Sequence, residues 1–167
     1  EVVLMESEEL EKLIKNAKER ATQLLIETEN CAYSPFVALL EALNIKASPE
    51  LLAASIGFAG GLSGSGHLCG ALWASVAAVS IYMKRKIDGE NSGRRPNESF
   101  AAYHAELHNK VTSVYKQFVN MFGSPNCRDL NPKFDLVSPE QRRKCTVIVR
   151  KSVEMTLRSL LGGSNER

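Results

Sequence analysis

The sequence has no strong excess of charge of either sign. Across 167 residues the net charge is +2. The basic clusters Lys84-Arg85-Lys86, Arg94-Arg95 and Arg142-Arg143-Lys144 are offset by acidic residues elsewhere. That balance gives no reason to expect a nucleic-acid partner, and the clusters read as solvated helix ends. Long apolar runs are also missing. The longest, Leu68–Met83, has 16 residues and follows a polar glycine loop. It is short for a bilayer span, so no membrane insertion is expected. The opening Glu1-Val2-Val3-Leu4 has no signal-peptide pattern, which points to a cytoplasmic protein. The missing initiator Met leaves room for an upstream leader. Cysteine is sparse: Cys31, Cys69, Cys127 and Cys145 are too few for a disulfide-built scaffold. Their spacings of 38, 58 and 18 residues contain no Cys-x-x-Cys. That excludes a thioredoxin-type motif, a zinc-ribbon spacing and a c-type haem attachment. No stretch alternates long enough to demand a sheet, and no internal repeat is visible.

What is present is helical periodicity. Apolar residues make up 44% and charged residues 24% of the chain, ordinary globular usage. One domain over 1–167 is expected, able to bury about two-thirds of its unfolded surface. Residues 6–29 carry one apolar face through Leu10, Leu13, Ile14, Ala17, Ala21, Leu24 and Leu25. A second helix starts at Asn30 or at Ser34-Pro35, and a third at the cap-and-proline pair Ser48-Pro49. Leu68–Met83 is apolar nearly all round, which suits a central helix; a shared face in a homodimer is the open alternative. Residues 84–97 hold Gly89, Gly93 and Pro96 and read as a polar, mobile loop. Glu98–Met121 gives the clearest stripe, Phe100, Tyr103, Leu107, Val111, Val114, Phe118 and Met121. Ser138 with Gln141 three residues on is a capping-box pattern opening the last helix. The expected fold is all-α, a single bundle of about six helices around Leu68–Met83.

The chemistry concentrates in 57–71, where six of the eleven glycines fall in fifteen residues that run into Cys69 and a helix start. Unpaired backbone N–H groups there would favour an anion, and so a thiolate. His67, two residues away, could add charge or a proton. The plainer alternative is that the glycines serve close packing and Cys69 is a small buried hydrophobe. Cys31 and Cys127 also sit at predicted helix starts, and Cys145 lies about two turns into a helix. If the four converge, they offer a Cys₄ site for an iron–sulfur cluster or zinc, or one or two redox-active disulfides. Zinc is the weaker candidate, because structural zinc usually takes two ligands from one short knuckle. In the disulfide alternative Cys69 attacks, and a neighbour such as Cys31 resolves. A third alternative is a non-catalytic helical interaction protein with inert cysteines.

Other motifs carry less. His104 and His108, at i and i+4, could share a metal, but they flank the apolar stripe and read as boundary residues. Glu106 is misplaced for a His-Glu-x-x-His zinc protease. Trp73 reads as core. Ser63 and Ser65 have no recognisable Asp/His partners, and Gly64-x-Gly66 follows no strand.

Asn30-Cys31-Ala32, Gly57-Phe58-x-Gly60-Gly61, Cys69-Gly70-Ala71, Gly123-Ser124-x-Asn126-Cys127-Arg128 and the late Cys145 occur in that order. Together they resemble the redox-active protein family defined by four cysteines and a Cys-Gly-Ala-x-x-Gly motif, over roughly residues 10–160. The last glycine of that motif is Ala74 here. A related cysteine region occurs in split-Soret-type cytochromes, where the resemblance implies an iron–sulfur cluster. For this chain it implies a redox site on Cys31, Cys69, Cys127 and Cys145, serving electron transfer or redox sensing with an unnamed redox partner.

Overall fold

A computed structural model describes residues 7–90, 96–131 and 138–162, with the backbone alone at 90, 96–99 and 102. Among these the fold is all-α, as the periodicity predicts. Its helices are α1 (Ser7–Thr28), α2 (Tyr33–Ala42), α3 (Pro49–Ile56), α4 (Ala59–Leu62), α5 (Gly70–Glu90), α6 (Pro96–Phe122), α7 (Cys127–Leu130) and α8 (Pro139–Leu161). The short α4 and α7 raise the count above six, and both belong to the segments that carry the site. None of the described helices is long and apolar enough to cross a membrane.

The bundle core forms where α5 meets α2, α6 and α8, and where α1 lies across α2 and α8. Leu39, Leu72, Val79, Ile87, Val114, Phe118, Val149, Val153 and Leu157 are essentially sealed from water. Burying each such side chain contributes about 1.5–3 kcal/mol. A second cluster joins Phe36, Leu40, Ile45 and Ala74. The methyl of Ala74 is fully buried there and fills space in the core. Trp73 borders the cluster, stacked on Phe58 at 4.3 Å and edge-on to Phe36 at 5.2 Å. It serves packing, as its helical spacing suggests.

Several boundaries differ from expectation for physical reasons. The polar loop 84–97 is mostly helix: α5 runs on to Glu90 and α6 begins at Pro96, while 91–95 lie outside the described residues. Met83 and Ile87, four apart, are both buried and hold this extension on the core. Lys84 also pairs with Asp88 along its outer face. The predicted central helix begins at Gly70, not Leu68, because Leu68 forms an antiparallel bridge with Asn126. The stripe of α6 fails at its ends, where Phe100 and Met121 are exposed. Phe122 packs instead, its ring 4.7 Å from Phe118. The second helix starts at Tyr33, between the two predicted positions. Asn30 caps it from outside, its Oδ1 accepting from the N–H groups of Ala32 and Tyr33. Pro35 then falls in the first turn, where its missing donor is harmless.

At α8 the predicted cap is present: the Ser138 hydroxyl accepts from the Gln141 N–H at 3.2 Å, with Pro139 in the first turn. Ser138→Ala is expected to cost about 1 kcal/mol, read as a lower denaturant midpoint with an unchanged slope.

Candidate functional site

Each cysteine is placed by a separate device. Cys31 sits in the turn before α2, fixed by Asn30. The Asn30 side chain caps α2 with its oxygen and donates from Nδ2 to the Ile56 carbonyl at 3.0 Å. This ties the Cys31 turn to the end of α3, where the glycine stretch begins.

Cys69 and Cys127 are held by mutual backbone pairing of their two segments. The Cys69 N–H donates to the Pro125 carbonyl at 2.8 Å, and the Cys127 N–H donates to the His67 carbonyl at 2.7 Å. The Arg128 N–H donates to the Gly66 carbonyl at 2.9 Å. The Arg128 guanidinium adds a bond to the Ser65 carbonyl at 3.2 Å. Asn126 does not cap α7 with its side chain; that side chain donates to Asp129 at 3.2 Å.

Cys145 lies on α8, one turn beyond Gln141. The Gln141 side chain does not reach back to its own cap, as a capping box would have it. It turns inward, and its Nε2 donates to the Cys145 sulfur at 3.3 Å. Gln141 is buried, and sequence reasoning missed it because the capping pattern gave it a sufficient role.

The glycine stretch acts through its shape. Backbone φ is positive at Gly60, Gly61, Leu62, Ser63, Gly64 and Gly66, so the chain coils tightly. The N–H groups of Ser63, Gly64, Ser65, Gly66 and His67 are consumed by carbonyls of 57–62. The expected concave array of unpaired donors is therefore absent from 63–67. What the coil presents outward is carbonyls, those of Ser65, Gly66 and His67, which receive the Cys127 segment. His67 contributes its backbone; its side chain is exposed and lines neither cavity described below.

The result is convergence. Cys31, Cys69, Cys127 and Cys145 all line one small cavity of about 20 Å³, together with Gln141 and apolar side chains of α5, α7 and α8. All four are free thiols; Cys69 and Cys127 are buried, while Cys31 and Cys145 are half-buried. His104 and His108 lie elsewhere, exposed on α6 beside a separate groove with Tyr115. Among the described residues no three His, Cys, Asp or Glu side chains are gathered tightly enough to hold a single metal ion.

Electrostatics overturn one expectation. The helix-start thiols do not have lowered pKa values. Burial pushes Cys69 up to about 12, with a further rise from Cys31 nearby. The Leu72 and Ala71 amides at the start of α5 pull the other way and lose. Burial, then Cys31 and Cys145, push Cys127 up to about 11. Cys31 is raised by burial against the amides of Gly60 and Gly70, and Cys145 is raised by burial against the Gln141 bond. The donors expected at helix starts do reach sulfur. They compete with the loss of water, and the loss of water is the larger effect.

Four thiols from separate segments, closed into one cavity of an all-α bundle, define a small helical cysteine-cluster protein. The chain belongs to the family described as "Putative redox-active protein (C_GCAxxG_C_C)", which matches residues 29–159 and so takes in all four cysteines. An uncharacterized protein of Archaeoglobus fulgidus is 52% identical over 146 residues, covering 87% of this chain and 94% of the relative. No solved structure matches. Family membership supports a redox role for the chain.

Proposed function

We propose that Cys31, Cys69, Cys127 and Cys145 ligate an iron–sulfur cluster that serves electron transfer or redox sensing. The observation that carries this reading is the shared cavity: four free sulfurs, remote in sequence, face one buried space. Soft thiolate donors suit iron–sulfur and zinc alike. A multi-iron cluster spreads its ligands further apart than one ion does. The four cysteines come from four separate segments with no short Cys-x-x-Cys knuckle of the kind structural zinc usually takes, which favours the cluster over zinc. Such a group would supply one-electron chemistry when bound.

The chain's own residues would set its surroundings. The Gly60 and Gly70 amides are directed at Cys31, and Gln141 donates to Cys145. Hydrogen bonds to ligand sulfur withdraw charge and raise a cluster's potential. Ile148 and Val149 exclude water from the cavity wall. The small volume means that sulfur side chains must rotate outward to admit a cluster. Cys31 and Cys145 border a larger neighbouring pocket and have room to do so.

The thiol–disulfide reading is less well supported, because a Cys69 thiol raised to about 12 is a poor source of thiolate at neutral pH.

Anaerobic purification followed by iron, sulfide and optical analysis is the test. Brown protein carrying iron and acid-labile sulfide is expected, and Cys69→Ala should lose most of the iron. Protein that stays colourless and iron-free after anaerobic reconstitution would overturn the proposal.

A further inference from the structure

A second cavity, of about 370 Å³, lies directly outside the cysteine cavity. Its wall is mainly apolar, built from Leu25 and Ile26 at the end of α1, Ala59 and Gly60 of α4, and Thr146 of α8. Of its lining residues only Cys31 and Cys145 also line the inner cavity, so these two sulfurs form the partition. One ion pair stands in the lining: Arg142 Nη1 to Glu29 Oε1 at 2.5 Å, with both side chains more than half exposed.

We propose that this pocket binds a small, largely apolar organic carboxylate, held by Arg142 and laid against Cys31 and Cys145. The volume falls in the range of small-molecule sites, which are typically apolar with a few orienting polar groups. Arg142 selects the charge: a guanidinium offers five donors in a fork that matches a carboxylate, and Glu29 engages it through Nη1. The pair is exposed and so holds its partners weakly, which lets an incoming carboxylate replace Glu29 at small cost.

Glu29 itself is unusual. Its φ of 53° lies in the left-handed region, which is uncommon for a residue with a side chain. That conformation directly follows α1, and Asn30 and Cys31 come next. The backbone that places Cys31 on the partition also places Glu29 on Arg142. A carboxylate seated here would touch two of the four sulfurs with no side chain between. Calling the bound molecule a redox substrate rests on the cluster proposal. The binding itself does not.

The test is calorimetric titration of the reduced, metal-free 167-residue chain with 3-phenylpropionate, 3-phenylpropan-1-ol and 3-phenylpropylamine. The acid should bind about two- to fivefold more tightly than the alcohol, the scale of an exposed ion pair. Arg142→Gln should erase that preference; Arg142 is exposed, so this variant keeps the fold. Ala59→Phe, which fills the pocket, should abolish binding of the acid. Thr146→Phe on the opposite wall serves if the first variant does not fold. In backbone NMR the acid should shift Cys31 and Cys145.

Equal affinity for acid, alcohol and amine would overturn the proposal. So would tighter binding of the amine, an R142Q variant that binds like the parent, or no heat at millimolar acid. A colourless protein that binds the acid upholds the pocket while the cluster reading falls. A chain that turns brown on anaerobic reconstitution but whose metal-free form ignores the acid does the reverse.

Discussion

Gly61→Ala is expected to lose about 4 kcal/mol of stability, a large share of what a domain of this size has to lose. Two terms add. Gly61 has φ of +69°, and an added Cβ would stand 2.6 Å from both the N and the O of His67. Those are backbone atoms that cannot rotate away, and the His67 carbonyl is the acceptor for the Cys127 N–H. The substitution therefore strains the coil and pushes on the segment that seats Cys127. Two neighbours separate the terms. Gly64 has φ of +80° with nothing within 4 Å of an added Cβ, so Gly64→Ala should show only conformational strain, about 1–2 kcal/mol. Gly57 has an ordinary φ and the same open surroundings, so Gly57→Ala should be close to neutral. Urea unfolding of the three variants gives the ranking. If Gly61→Ala behaves like Gly64→Ala, the close approach to His67 is not what fixes Cys127.

That series also marks what the sequence could and could not reveal. The helices were legible because their apolar residues recur at three and four, and because Ser48-Pro49 and Ser138-Pro139 announce their caps. The four cysteines were legible as a set through their motif neighbours. The tasks of individual glycines were not: Gly57, Gly61 and Gly70 look alike in the chain, yet a Cβ on Gly70 would meet the Cys31 sulfur at 2.9 Å. That contact spans residues nearly forty apart, and no local pattern encodes it. The continuation of α5 past Met83 was hidden for the opposite reason. Its charged residues and Gly89 suggest a loop, while Ile87 keeps it helical through a tertiary contact. The direction of the thiol pKa shifts is not legible in the sequence, because helix-start amides can be read there, whereas the depth of burial that opposes them cannot.

That burial has a consequence at high pH for the reduced, metal-free protein. The Cys69 thiol is raised from 9.0 to about 12 in the folded chain. Between those values the unfolded chain has released a proton that the folded chain retains. Stability is therefore full below pH 9 and falls as pH rises toward 12. At 1.36 kcal/mol per unit, Cys69 alone accounts for a loss of about 4 kcal/mol over that range, and about 2 kcal/mol by the middle of it. Cys127, also raised by burial, adds in the same direction. Urea midpoints of the parent and of Cys69→Ala, compared from pH 7.5 to pH 10.5, isolate the effect, because lysine and tyrosine titrations are common to both. The parent should lose stability more steeply, and the gap between the two curves should narrow with alkali. Parallel curves would mean that Cys69 keeps contact with water. The same inequality bears on loading. Thiolate ligands must shed their protons to hold a metal centre, so incorporation competes with protonation of four thiols whose pKa values are all raised by loss of water. Reconstitution should then weaken as pH is lowered, and iron content after reconstitution at pH 6.5 should fall well below that at pH 8.5.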